Sequence, residues 1–299
     1  MSRQVLQMTE SSQHQRNAPR ISLVDALAIL DGSVGPVIPR DQDLPTALGY
    51  TLAADATLAS DTGPAAALRL AGARLRRIDI ALLAAQGVTH VSIRVPLILI
   101  VPAVAANTTV DTTCALIASA IEAEGGTAMI ETTTADKSLD ATLHREDADA
   151  VIAVGDINRN ETSVHTLAGI GRVEFHGVDL TPGKATTFGL VGAMPVLLLP
   201  ERMDAALAAW LVIGRRLLAR LAFRLIEEQP FLLELARALI SPLGMAEVVP
   251  VRRRAAQVEP LTGSPWTPQT IARADGWILV PADSTGHAAG TRVAVRPLP

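Results

Sequence analysis

Cysteine is nearly absent. The single Cys114 excludes an intrachain disulfide and a cysteine-rich metal site, and it suits a reducing, cytoplasmic compartment. It sits in the apolar stripe of VDTTCALIASAIEAEGG, which predicts a buried, structural thiol. Aromatic residues make up only 3% of the chain against 49% hydrophobic residues, so the core must be aliphatic and rich in alanine. No long hydrophobic run exists. Val95 to Ala106 is the longest, with 12 residues and two prolines, too short to span a bilayer and suited to a buried strand. The positive mean hydropathy of +0.31 therefore reports alanine and leucine, and no membrane association is expected. The first 17 residues have no apolar segment of the secretory kind and read as part of a disordered arm over 1–19. Neither sign of charge dominates. A net charge of −4 argues against a dedicated nucleic-acid binder, and the short arginine runs at 74–77 and 252–254 read as solvated faces.

What is present is a patterned α/β chain. At 299 residues, two or three domains with ample core are expected. RISLVDALAILD carries Ser22 as an N-cap, Asp25 at the third helical position, and Leu23, Ala26, Leu27 and Leu30 at helical spacing. DLPTALGYTLAADATL predicts a short helix stopped at Gly49, then an extended piece. VTHVSIRVPLILIV makes two strands. A helix is expected over Asp111 to Glu124, ended by Gly125-Gly126, and a strand at Ala128 to Ile130. A polar helix is expected over Asp140 to Glu146 and a long one over Ala205 to Glu228. Asp204 reads as the N-cap of the long helix, and Arg215, Arg216, Arg220 and Arg224 as its solvated or dimer-facing basic side.

The organising stretch is 147–200. Ala150 to Val154 is a buried-type strand that stops at Gly155-Asp156, and Pro195 to Leu199 is another that stops at Pro200. Between them lie a short helix, the strand RVEFHGV and the turn Pro182-Gly183-Lys184. Strands that end at turn residues and feed helices are how a doubly wound sheet makes a ligand crevice at its strand C-termini. MAEVVPVRRR, GWILVPA and TRVAVRPL close the chain as strands of a small β-domain.

These segments carry a resemblance. Val-Ile-x-x-Gly at 151–155, Phe-His-x-Val-x-x-x-Pro-Gly-Lys at 175–184 and Pro-Val-x-x-Leu-Pro at 195–200 occur in this order, together with Ala47-Leu48-Gly49-x-x-Leu52-Ala53-x-Asp55 and the closing strands. In this the chain resembles the molybdopterin molybdenumtransferases, the MoeA and gephyrin E-domain family, which insert molybdate into adenylated molybdopterin. The resemblance implies a central three-layer, molybdopterin-binding-like α/β domain over 95–240, an N-terminal helical and extended segment over 20–94, a C-terminal β-barrel over 241–299, and a homodimer. It also exposes losses. The family's inserted β-domain is missing near 61–72, where Asp61 is not a secure counterpart of the family's catalytic aspartate. Pro102 to Ala106 replace a Thr-Gly-Asp-Glu turn, Gly155-Asp156 replace a Ser-Gly-Gly loop, and Pro200-Glu201-Arg202 replace Pro-Gly-Asn. Alanine can neither ligate a cation nor take a proton. No residue is assigned a catalytic or metal-binding role. The resemblance places cofactor binding at Gly155, Asp156, Ser163, Pro182, Gly183, Lys184 and Pro200. A preceding lysine of the family is Thr181 here, and His176 is expected to be a packed or half-exposed strand histidine. Three readings compete: a molybdenum-cofactor pathway protein that binds molybdopterin or its cofactor form without inserting molybdate; a noncatalytic structural paralogue acting as a dimer or a molybdenum-enzyme subunit; and a molybdenumtransferase with an altered site.

Overall fold

The structure is a computed structural model that describes residues 20–58, 66–103, 107–131, 139–145, 147–155, 162–224, 230–261, 263 and 265–298. The arm expected over 1–19 lies outside them, as do Asp61, Asp156 and Glu228. Helix α1 (Leu23–Ser33) starts as its sequence dictates: the Ser22 hydroxyl accepts from the Asp25 N–H at 3.1 Å, and Leu23, Ala26 and Leu30 are buried. After it come β1 (Arg40–Asp43), a 3-10 turn at Leu44–Thr46, β2 (Thr51–Leu52), β3 (Ala56–Leu58), β4 (Ala66–Arg69), α2 (Arg77–Ala85) and β5 (His90–Arg94). Strands β1, β5 and β2 form one antiparallel sheet, and β3 pairs with β4 as a hairpin. Only seven residues join the two hairpin strands, where the resemblance would place a whole domain. Asp79, fully buried in the first turn of α2, accepts from the Arg76 N–H at 2.9 Å, from Arg76 Nη2 at 2.9 Å and from Arg69 Nε at 3.1 Å.

The central layer follows: β6 (Leu97–Pro102), α3 (Thr108–Ala123), β7 (Thr127–Ile130), α4 (Leu139–Leu143), β8 (Ala150–Val154), α5 (Thr162–Ile170), β9 (Arg172–His176), β10 (Leu180–Thr181), β11 (Thr187–Val191) and β12 (Met194–Leu199). Sheet order is β7-β6-β8-β12-β11-β9; the first four strands are parallel, and β11 and β9 return antiparallel. Alternate residues of the parallel strands go to opposite faces. Ile98, Ile100, Ile152, Leu197 and Leu199 pack toward α1 and α3, while Leu99, Val101, Val151, Val196 and Leu198 pack against Leu143 of α4 and Leu167 of α5. Both faces being covered is why these strands read as unbroken apolar runs. Cys114 is buried in this core, and burial pushes its thiol up to about 12. The thiol is structural, as the stripe predicts.

The long helix begins at Met203 and runs as α6 (Met203–Ala209), a π turn at Trp210–Gly214, and α7 (Arg215–Leu221). Gly214 lies flat on the Trp210 indole; a Cβ there would stand 2.9 Å from Cζ3. The arginines along and just after this helix make ion pairs within the chain, while Arg216 and Arg220 stay partly exposed. Arg215 and Arg224 both pair with Glu124 at the end of α3, and Arg216 Nε meets Asp31 of α1 at 2.7 Å. Arg74 joins the same cluster, donating to the Gly49 and Ala123 carbonyls at 2.8 and 2.9 Å. Burial, with Arg224 beside it, lowers the Arg74 pKa from its ordinary value.

The C-terminal strands are β13 (Phe231–Leu235), β14 (Leu239–Ile240), β15 (Ala246–Arg254), β16 (Gln257–Pro260), β17 (Gly276–Val280), β18 (Gly286–His287) and β19 (Arg292–Pro297), with α8 (Pro268–Arg273) between β16 and β17. The sequence β15-β16-β13-β19-β17 closes on itself through β15–β17, giving a five-stranded barrel. Leu235, Val249, Val251, Val258, Ile278 and Val293 fill it. Strand β10 extends the barrel sheet by pairing parallel to β15.

The Asp79 clamp sets a pH-dependent prediction. Its hydrogen bonds with Arg76, then Arg69, lower its pKa from 3.8 to about 2. A depressed folded value means the stabilisation is complete above the unfolded value and is lost as pH falls through 3.8 toward 2. Asp79→Asn should cost about 2 kcal/mol in urea unfolding at neutral pH, and the difference from the native chain should shrink in that acid window. A gap that stays constant with pH would contradict the clamp.

Candidate functional site at the strand C-termini

Three parallel strand ends lie side by side. Pro102 of β6 is level with Val154 of β8, and Val154 with Leu199 of β12. The ladder continues one residue further: the Ala103 N–H donates to the Val154 carbonyl at 2.8 Å, and the Gly155 N–H to the Leu199 carbonyl at 2.9 Å. Gly155 then turns at φ 109°, a conformation glycine adopts without cost. Antiparallel β11 starts level with the end of β12, Thr187 opposite Leu198, so the turn before β11 reaches the same edge.

That turn holds Pro182, Gly183 and Lys184. The Thr186 N–H and hydroxyl both donate to the Gly183 carbonyl, at 3.0 and 2.7 Å, and the Lys184 carbonyl accepts from the Val178 N–H at 2.9 Å. Gly183, at φ 121°, is pressed against α6: a Cβ would stand 3.3 Å from the Ala205 carbonyl oxygen. The backbone is fixed and buried, yet Lys184 is exposed and its ammonium has no hydrogen bond or ion pair among the described residues. His176 is half-buried on β9 with Nδ1 2.7 Å from the Thr187 hydroxyl, the packed strand histidine that was expected.

The structure thus brings Gly155, Pro200 and the Pro182-Gly183-Lys184 turn to one edge. Pro200 is buried, and Ser163 is buried in the first turn of α5, only 2% exposed. Asp156 lies outside the described residues.

Other side chains that the sequence reading assigned no site role occupy the edge. Asn107 caps α3, accepting from the Thr109 N–H at 3.0 Å, and its amide donates to Glu201 at 2.9 Å. Asp204 does not cap α6 as expected. Arg202 holds the cap position without a side-chain bond, and the Asp204 carboxylate instead takes Arg202 Nε at 3.1 Å, Arg202 Nη2 at 2.6 Å and the Trp266 N–H at 3.0 Å. Asp204 and Trp266 are 4% and 8% exposed, so this carboxylate fastens the barrel's 265–268 segment over the start of α6. Beside the fastening is a cavity of 370 Å³ lined by Thr108, Thr109 and Thr112 of α3, Arg202 to Asp204, and Pro265, Trp266, Pro268 and Ile271. None of the site residues expected from sequence lines it. The available signal was charge: Glu201, Arg202 and Asp204 directly follow a buried strand. Among the described residues, no three His, Cys, Asp or Glu side chains gather as a metal-holding group.

Asp204→Ala leaves the buried Trp266 N–H unpaired. It should cost about 1–3 kcal/mol and shift tryptophan emission to the red as Trp266 gains water. Unchanged emission and stability would show that the fastening holds nothing.

Residues 233–298 match the MoeA C-terminal region (domain IV) family. A putative molybdopterin biosynthesis protein of Methanocaldococcus jannaschii is 29% identical over 161 residues, 53% of this chain and 38% of that protein, so the match spans well under half of the curated relative's length. Among solved structures, a molybdenum cofactor biosynthesis protein from Pyrococcus furiosus superposes with TM-score 0.76 at 20% identity, over 93% of this chain and 99% of that one. A MoeA molybdopterin biosynthesis protein from Pyrococcus horikoshii gives 0.74 at 14% identity over 93% and 99%. The α/β core and the five-stranded barrel have the fold of these MoeA structures, and residues 233–298 carry the match to MoeA domain IV.

Proposed function

We propose that this chain serves molybdenum cofactor biosynthesis as a binding protein, holding molybdopterin or its cofactor form at the strand C-terminal edge without inserting molybdate. The observation that carries the reading is Lys184, an ammonium without a partner among the described residues, on a backbone packed to hold it at the crevice. Molybdopterin brings an anionic phosphate, which an ammonium meets as a point charge. The residues fit such a group in part. Lys184 is free for it, whereas the Gly155 N–H is already spent on Leu199.

The acid side of the site supports binding without turnover. Ala103 follows β6 with no carboxylate, Glu201 is engaged by Asn107, and Asp204 by Arg202 and Trp266. Proton transfer or cation ligation at this edge needs a carboxylate turned toward the ligand. In the same reading the chain works in the cytoplasm as a homodimer and passes its ligand to a molybdenum enzyme or another pathway protein. The Asp204–Trp266 fastening favours a second reading, in which the crevice is closed and the chain is a noncatalytic subunit or chaperone of a molybdenum enzyme complex.

Calorimetric titration with molybdopterin separates the two. The binding reading expects submillimolar affinity, weakened about tenfold in Lys184→Ala, the size of one charge-assisted hydrogen bond. No heat from the folded native chain would overturn it in favour of the subunit reading.

A further inference from the structure

The run Arg252-Arg253-Arg254 reads as a solvated face in the sequence; Arg253 and Arg254 are exposed, and further cations join them. Arg237 arrives from the turn after β13 and donates to the Pro260 carbonyl. Arg273 ends α8. Arg252 stands opposite Glu259 across β15–β16, and Arg254 Nε meets the Glu259 carboxylate at 2.9 Å. That hydrogen bond holds Glu259 below the ordinary carboxylate range, with Arg237 and Arg273 adding to it through space. The second acid is Asp275, which accepts from the Arg253 N–H at 2.8 Å. Arg254, Arg237 and Arg273 thus gather on Glu259, with Arg252 opposite it in register, while the Arg253 side chain leaves the other side of the strand. Arg252 and Arg273 have no side-chain hydrogen bond or ion pair among the described residues.

Apolar surface lies alongside. Phe231 and Leu232 at the start of β13 are 57% and 62% exposed, and the Arg253 guanidinium stands 5.8 Å from the Phe231 ring centroid. Collecting cations from three separate segments costs mutual repulsion and adds little to the barrel, whose core is aliphatic. Arginine beside an exposed aromatic is the composition of an interface centre. The whole chain carries a net charge of −4, so a local cluster of cations stands out against an acidic background.

We propose that this face of the barrel docks an acidic segment of a partner protein, its carboxylates meeting Arg252 and Arg273. The inference stands apart from ligand binding at Lys184.

The test uses the full chain and a fluorescent peptide of about a dozen residues, rich in Glu and Asp, read by anisotropy in about 50 mM and about 500 mM salt. Its Gln/Asn counterpart and a single-stranded oligonucleotide are compared. The acidic peptide should bind at low salt and the neutral one should not. Arg252→Ser with Arg273→Ser should weaken binding at least about tenfold, while Arg77→Ser on α2, remote in sequence, should not, all variants melting like the native chain. Equal binding by the double variant, no binding of the acidic peptide, or tighter binding of the oligonucleotide through the same arginines would overturn the proposal.

Discussion

The in-register parallel ladder of β6, β8 and β12 is the constraint on which the rest depends. Because Pro102, Val154 and Leu199 finish level, whatever follows each strand is delivered to one edge. Burial of both sheet faces fixes that register, since a slip of one residue would exchange the side chains packed on the two helical layers. The antiparallel return of β11 adds the Lys184 turn to the edge, and the parallel pairing of β10 with β15 ties the barrel to the turn's entrance. Scaffold and crevice are thus products of one set of aliphatic residues, and the polar residues after each strand can change without loss of the fold.

That independence lets a chain share the fold of the MoeA structures while carrying its own strand ends. At those ends side chains bind one another: Asn107 with Glu201, and Arg202 with Asp204, which also takes the Trp266 N–H. Among the described residues, these pairs engage the carboxylates of Glu201 and Asp204. Lys184 stands outside these pairs. Its turn is held by Thr186 and by contact with α6, and its charge remains available.

Much of the scaffold was legible in the sequence. The Ser22 cap, the Gly49 stop, the apolar runs at 97–102, 150–154 and 194–199, and the closing strands all announce themselves by local pattern. Strand Gln257–Pro260 did not, because QVEP alternates Val258 and Pro260 with polar residues and has no hydrophobic run. The ion pairs of the α7 arginines were not legible because their partners are far away in the chain: Asp31 lies 185 residues from Arg216, and Glu124 lies 91 from Arg215. Asp204 has the composition and position of an N-cap, and only the tertiary approach of the Trp266 N–H shows its other use. The resemblance points to the strand-end edge, but burial of Ser163 and the pairing of Glu201 are facts of packing that no local motif contains.

The central proposal is that the edge holds its ligand through the Lys184 cation, while the described carboxylates Glu201 and Asp204 stay engaged by their neighbours. It is tested most directly by supplying purified chain with adenylated molybdopterin and molybdate and measuring formation of the molybdenum cofactor. The account predicts bound pterin with no molybdate-dependent product above the protein-free control. Product that rises with molybdate and disappears in Lys184→Ala would contradict it, since a functioning acid would then have to be present at the edge.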